Sequence, residues 1–432
     1  MKFKLKKCLM CKSKYIILCL VILLNLAGIL SSCVNNSENQ SLNSESSNED
    51  PKESISIMHV DHANSQLNKY IQEFEKKLGF NINIVDSPTN ADSRHAKICS
   101  LLASGDTSVD IYTINDEMFS MFKSSGYLEP LSKSEFDENL LNLYPQDYID
   151  RLYGDNGEIY SIPFKMDILL LFINENYLDE IGLDSIQTCS DLDLFLNYPW
   201  GENKYAYGGA WEKTYVFNEI GLFINLFGGD YYDWQNENTR NAVKFLKFCS
   251  DENITPKNQI LDQYEQMEEK FIAGKYGLIF MYSGGFKKIT NASEQEKNTL
   301  APIMIPEIKN LSTNIATWQY SINIKSEKKD QAKDFLNYAS SYQANKLYAE
   351  LLETAPARID VIQDEDVYFT GVEFVREYLD SVKLYSRVIP GESIEYLSKM
   401  GEYFQQYVME RINLDEYCSL MDSLNVEYNV KK

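Results

Sequence analysis

The sequence predicts an α/β fold spread over more than one domain. Between residues 54 and 116 the local patterns run strand, helix, strand, helix, strand, an order that builds a parallel sheet with helical crossovers. About 400 of the 432 residues lie beyond a short apolar leader, more than one ordinary core accommodates.

The elements follow in chain order. SISIMHV (54–60) alternates and is β-rich, so it reads as a strand. SQLNKYIQEFEKKLGF (65–80) sets Leu67, Tyr70, Ile71, Phe74 and Leu78 at helical spacing and stops at Gly79. NINIVDS (81–87) is a second strand, DSRHAKICSLLASGD (92–106) a helix closed by Gly105, and VDIYTIND (109–116) a third strand before another helix. GDNGEIYSIPFKMDILLLFINENYLDEIGL (154–183) reads as a turn, a short strand, Pro163 and a long apolar strand over 168–173. NTRNAVKFLKFCSDENITP (238–256) is an amphipathic helix. MEEKFIAGKYGLIFMYSGGF (267–286) is a helix, a stop at Gly274-Lys275, a strand and a glycine-rich turn. The stretch 317–352 is a strand, a turn and two helices, and the tail from 373 reads as helical with one break at Ile389-Pro390-Gly391.

The leader has its own logic. Six lysines and no acid precede the apolar run YIILCLVILLNLAGIL (15–30), the layout of a secretory signal. The run is shorter than the ~20 residues that span a bilayer as a helix. Leu30-Ser31-Ser32-Cys33 resembles the lipobox of bacterial lipoproteins, in which cleavage precedes a cysteine whose thiol carries a diacylglycerol. Residues 1–32 are therefore expected to be a signal peptide, Cys33 a lipid anchor, and the Asn-, Ser- and Glu-rich tract 33–52 a disordered tether. This places the remaining chain outside the cytoplasmic membrane.

Composition narrows the function. The net charge is −23, and about −29 without the leader's six lysines, which repels phosphate backbones and argues against nucleic-acid binding. Thirty tyrosines suit either carbohydrate and peptide sites, where a flat apolar face and a polar tip are both useful, or an amphipathic surface. Cys99, Cys189, Cys249 and Cys418 lie far apart and are expected to be mostly buried free thiols. Three histidines and no Cys/His cluster make no case for a metal, and no cofactor is expected. Trp200 and Trp234 read as peripheral.

Five phrases, in order, resemble the family 1 extracellular solute-binding proteins, the maltose-binding-protein-like lipoproteins of ABC importers. They are LASGDTSVDIYTIN (102–115), SGYLEPL (125–131), GEIYSIPFKMDILLLFINENYLDEIGL (157–183), EEKFIAGKYGLIFMYSGGF (268–286) and TAPARIDV (354–361). One departure is IQTCSDLDLFL, which lacks the tryptophan of the family's Thr-Trp-Asp-Glu helix start. The resemblance implies a two-lobe periplasmic-binding-protein-like fold, each lobe a mostly parallel sheet flanked by helices. It suggests three crossings, near Pro163–Asp167, near Ala316–Tyr320 and within 358–375. Lobe one would comprise 53–163 plus 320–365, and lobe two 164–319 plus 366–432.

Candidate ligand residues come from two sources. Ligands in parallel sheets sit at the carboxyl ends of strands, which points at Asp61 and His62 and at Asn115 and Asp116, each pair serving either ligand or the cap of the next helix. The resemblance adds Asp167 after the first crossing and Trp211 in YGGAWEK, as cleft or core. It adds Tyr282 and Ser283 after an apolar strand, and Trp318 at the second crossing, as cleft or interlobe packing. Arg358 faces either ligand or a neighbouring acid. A sugar needs aromatic faces for its ring and carboxylates or amides for its hydroxyls. The implied function is a monomeric, lipid-anchored receptor that captures a sugar or oligosaccharide by hinge closure and delivers it to ABC permease subunits. The alternative is the same scaffold for a peptide, polyamine or other cation, or one serving a sensor kinase. An enzyme is not expected: no Gly-x-Ser-x-Gly, HExxH or P-loop motif occurs.

Overall fold

The computed structural model describes residues 53–136, 139–154, 157–295 and 299–430. The signal, the lipidation site Cys33 and the tether lie outside the described residues.

Strand β1 (Ser54–Met58) pairs in parallel with β2 (Asn81–Val85), and α1 (Leu67–Leu78) joins them. The stripe Leu67, Tyr70, Ile71 and Phe74 is buried, and α1 ends where Gly79 takes φ +84° and its N–H reaches Glu75 O. Helix α2 (Ala91–Ser104) starts on Asn90, whose side chain accepts from Ser93 N–H, and leads to β3 (Ile111–Asn115), parallel to β1. Asn115 caps α3 (Asp116–Ser124), and α4 (Gln146–Leu152) follows.

Strand β4 (Ile162–Asn174) is 13 residues long, and every one except Lys165 is buried. Both of its faces are covered, so it reads as a continuous apolar run. Next come α5 (Glu175–Ile181), α6 (Cys189–Asn197), β5 (Tyr205–Gly208), α7 (Phe217–Leu226) and α8 (Glu237–Asp251). Thr188 and Asp191 form a reciprocal capping box at α6, so this helix starts firmly without the family's tryptophan. The chain continues through α9 (Tyr264–Ile272), β6 (Tyr276–Tyr282), α10 (Phe286–Gln295) and β7 (Leu300–Ile303) to β8 (Ser312–Ile322). It closes with α11 (Lys329–Ala339), α12 (Tyr342–Leu352), α13 (Ile359–Ile362), α14 (Val372–Ser381), β9 (Lys383–Ser386), α15 (Ser393–Val408) and α16 (Leu414–Glu427).

The strand order is β2-β1-β3-β8-β4-β6-β5, with β7 also on β4 and β9 also on β8. The pairs β1/β2, β1/β3, β5/β6 and β8/β9 are parallel, and every antiparallel ladder involves β4 or β8. These two strands change partners along their length. β4 pairs with β8 over Ile162–Ile168 and with β6 and β7 from Leu169 onward. β8 pairs with β9 over Ser312–Ile315 and with β3 over Trp318–Ile322. One lobe is thus built on β2-β1-β3 and the other on β5, β6 and β7, with β4 and β8 common to both.

Two readings are corrected. The tail is not helical apart from one break: β9 interrupts it, and four residues between two helices are too few to show a strand period. Trp234, set aside as a site residue, is fully buried, edge-on to Tyr231 and Tyr417. All four described cysteines are free, but only Cys249 and Cys418 are buried; Cys189 is exposed.

Candidate ligand-binding cleft

The cleft's floor is the β4/β8 ladder, where Lys165 lies opposite Trp318 and Asp167 opposite Ala316. Asp167 is held in place by two donors. Trp318 Nε1 donates to Oδ2 at 3.2 Å, and Gly284 N–H donates to Oδ1 at 3.1 Å. A Cβ at position 284 would lie 2.9 Å from that Oδ1, so only glycine allows the backbone this close. Lys165 Nζ sits 3.7 Å from Asp167 and 4.0 Å from Asp61, and Asp61 also accepts from Tyr348 Oη at 2.7 Å. Burial acts to raise the Asp61 pKa, but Lys165, His59 and the Tyr348 hydrogen bond outweigh it and leave it below the usual carboxylate range.

One wall comes from the first turns of α2 and α3. It presents Asp92, Arg94, His95, Asn115 and Glu117. The Arg94 guanidinium lies 5.0 Å above the Trp318 ring and donates to Pro88 O and Thr89 O. Burial pushes the His95 pKa down to about 4, with Arg94 adding to the effect, so the imidazole is neutral. The opposite wall is aromatic. Tyr264 packs edge-on against Tyr215 and Tyr282, with Phe217 and Asn218 beside them. Tyr282 Oη donates to Asn218 Oδ1 at 2.8 Å. The space enclosed is about 220 Å³.

Arg387 closes the far end. It is buried, pairs with both carboxylate oxygens of Asp116, and donates to Glu117 at 2.7 Å and to Asn218 Oδ1 at 2.9 Å. Burial alone would ease its proton off, but Asp116, Tyr282 and Glu117 hold its pKa well above that of a free arginine.

Of the residues singled out from sequence, Asn115, Asp167, Tyr282 and Trp318 line this space. Asn115 also caps α3, accepting from Met118 N–H at 3.1 Å. Asp116 stands behind it, engaged with Arg387, and Asp61 is one step removed through Lys165. His62 is half-buried and off the cleft, and its Nδ1 has no hydrogen-bond partner among the described residues. Ser283 does not line the cleft either; its hydroxyl accepts from Ile168 N–H at 3.1 Å and fixes the turn. Trp211 and Arg358 each take the second of their two alternatives. Trp211 is a core residue with 0% exposure, edge-on to Phe404, and its indole N–H is taken by buried Glu219 at 2.8 Å. Arg358 pairs with Asp360 and donates to Ser340 O, away from the cleft.

Sequence reasoning missed Arg94, His95, Glu117, Tyr215, Asn218, Tyr264 and Arg387. Arg94 and His95 were within reach, because they open the helix that follows the carboxyl end of β2. Arg387 had no local signal: it reaches Asp116 across 271 residues of chain.

Comparison with known proteins agrees with this architecture. Residues 61–346 match the family described as bacterial extracellular solute-binding protein. The mannitol-binding protein of Pseudomonas aeruginosa is 24% identical over 297 residues, which are 63% of this chain and 66% of that protein. The arabinooligosaccharide-binding protein of Halalkalibacterium halodurans is 24% identical over 408 residues, covering 87% of this chain and 88% of that one. Maltose-bound MalE3 of T. maritima superposes with a TM-score of 0.71 at 15% identity, covering 87% of this chain and 99% of that one. The fold is that of the two-lobe, MalE-like solute-binding proteins. The chain belongs to the bacterial extracellular solute-binding protein family.

Proposed function

We propose that this chain is a receptor that captures a carbohydrate between its lobes and hands it to an ABC importer. The observation that carries this is the Trp318–Asp167 pair. An indole face lies beside a carboxylate already oriented by two donors, across from a wall of tyrosines. A pyranose ring or a polyol stacks on the aromatic faces while its hydroxyls reach Asp167, Glu117 and His95. The proteins with matching sequences are described as mannitol- and arabinooligosaccharide-binding, which supports a polyhydroxylated solute here. A polyamine is less well served: Arg94, Lys165 and Arg387 offset the cleft's acids.

The lobes, in this reading, are 53–163 plus 320–365 and 164–319 plus 366–432; β4 changes partner after Ile168 and β8 between Ile315 and Trp318, within a few residues of those bounds. The chain acts as a monomeric binding module with no catalytic step. It is held at the outer face of the membrane by lipid on Cys33; among the described residues no helix is long and apolar enough to cross a membrane.

The test is a tryptophan-fluorescence and thermal-shift screen of mono- and oligosaccharides and polyols, with amino acids, peptides and polyamines as controls. Binding is expected for one carbohydrate class, with Trp318→Ala weakening it at least tenfold. A response only to peptides or cations would overturn the carbohydrate reading. For the anchor, Cys33→Ala should leave the membrane fraction without mature, lipid-modified protein; unchanged processing would sink that part.

A further inference from the structure

A second cavity, about 480 Å³ and larger than the cleft, adjoins it. The two share Phe217 and Arg387 as lining residues, so Arg387 and the ring beneath it form the partition. One lobe supplies Asp147 and Arg151 of α4, and the other supplies α7, the turn 229–232, and the strand ends around Asn314 and Ser386.

Two polar atoms in its walls are buried without a partner among the described residues: Arg151 Nε and Ser386 Oγ. Buried donors left unpaired are destabilising, and such positions call for an occupant. The charges lining the cavity balance, with Asp147 and Asp230 against Arg151 and Arg387, so no net field selects an ion. What the walls do offer is a mixture of donors and acceptors. Asn225, Asn310 and Asn314 form an amide cluster, with Asn225 Nδ2 donating to Asn314 Oδ1 at 2.8 Å and Asn310 Nδ2 to Asn225 O at 3.1 Å. Tyr232 and Tyr385 add partly exposed rings. Hydroxyl groups, which both donate and accept, match this lining better than a carboxylate or an ammonium does.

We infer that this second cavity binds a neutral polyhydroxylated small molecule, independently of the cleft. The inference does not rest on the cleft's own ligand. The partition does imply communication. Arg387 and Tyr282 meet on the same Asn218 Oδ1, at 2.9 and 2.8 Å, so an occupant that moves Arg387 disturbs a cleft tyrosine. Any effect on cleft affinity must be reciprocal.

The test is equilibrium dialysis of the purified full chain against radiolabelled D-mannitol, D-glucose and L-arabinose. Arg151→Gln and Asn310→Trp perturb the second cavity, and Trp318→Ala perturbs the cleft. Asn310 is exposed, so a tryptophan there blocks the entrance without disturbing the core. For at least one probe, a binding component is expected that both cavity variants weaken tenfold or more and that Trp318→Ala changes less than twofold. If every component follows Trp318→Ala, or survives Asn310→Trp in a protein with wild-type circular dichroism, the inference is overturned. Should Arg151→Gln fail to fold, Asn310→Trp decides alone. A protein whose Trp318 responds to none of the three probes would count against them as cleft ligands, while the cavity variants would still decide this inference.

Discussion

Glu219 shows how a residue absent from any motif shapes the site's surroundings. It is buried beneath the cleft's aromatic wall and accepts from Tyr207 Oη, Trp211 Nε1 and Ala210 N–H. Burial raises its pKa to about 7, and the three hydrogen bonds offset only part of that rise. A folded pKa above the unfolded value means stability fully present below about 4.5 and lost as pH rises through about 7. The shift corresponds to about 3 kcal/mol across that window. Melting temperature should therefore carry a downward component between pH 4.5 and 7.5 that Glu219→Gln removes. An identical pH slope in the variant would show that Glu219 is ionised throughout. The same group explains why Trp211 misled the sequence reading. An aromatic in YGGAWEK fits a cleft or a core equally well, and the deciding partner, Glu219, lies eight residues on with no visible periodic relation to it.

Elements were legible where local physics decides them. The stripe of α1, its stop at Gly79, the cap at Asn115 and the apolar run of β4 are all written in short windows of sequence, and the structure forms them there. The cleft was legible only where it lies at strand ends or on the two long strands: Asn115, Asp167, Tyr282 and Trp318. Residues brought in by tertiary packing, such as Tyr215, Tyr264 and Arg387, leave no such trace. The docking of α15 is a case in point. Gly401 looks like a mild helix defect in sequence, yet a Cβ there would lie 1.9 Å from Lys213 O, so the helix rests directly on backbone. Gly401→Ala improves helix propensity by about 1 kcal/mol in isolation. In the protein it should instead destabilise, by about 1–3 kcal/mol, because backbone has to move. Urea denaturation distinguishes the two, and a stabilised variant would mean that α15 shifts freely away from the loop at 213.

At the scale of the whole molecule, Arg387 ties the lobes together at a point outside the β4/β8 ladder. It follows β9 directly, and it clasps Asp116 and Glu117 at the start of α3, which the proposed division puts in the other lobe. Its neighbours strengthen the junction: Ser120, Ser124 and Ser393 hydroxyls donate to Ile389 O, Gly391 O and Glu117 O. Burial pushes the Glu117 pKa above its ordinary value, and Arg387 offsets only part of that rise. A buried ion pair gives little net stability compared with an apolar replacement, but removing one partner strands the other, at about 3–5 kcal/mol. Asp116→Asn should therefore destabilise strongly, though Glu117 remains to compensate part of the Arg387 charge. Arg387→Met should do likewise by stranding Asp116, and the double variant should recover much of the loss. That non-additivity, read as a coupling free energy from denaturation of the four proteins, measures the tie. Because Arg387 also holds Asn218, which orients Tyr282, the double variant should bind the cleft ligand differently even after its stability is restored. Additive stabilities with unchanged affinity would mean that Arg387 does not couple the two sides of the junction.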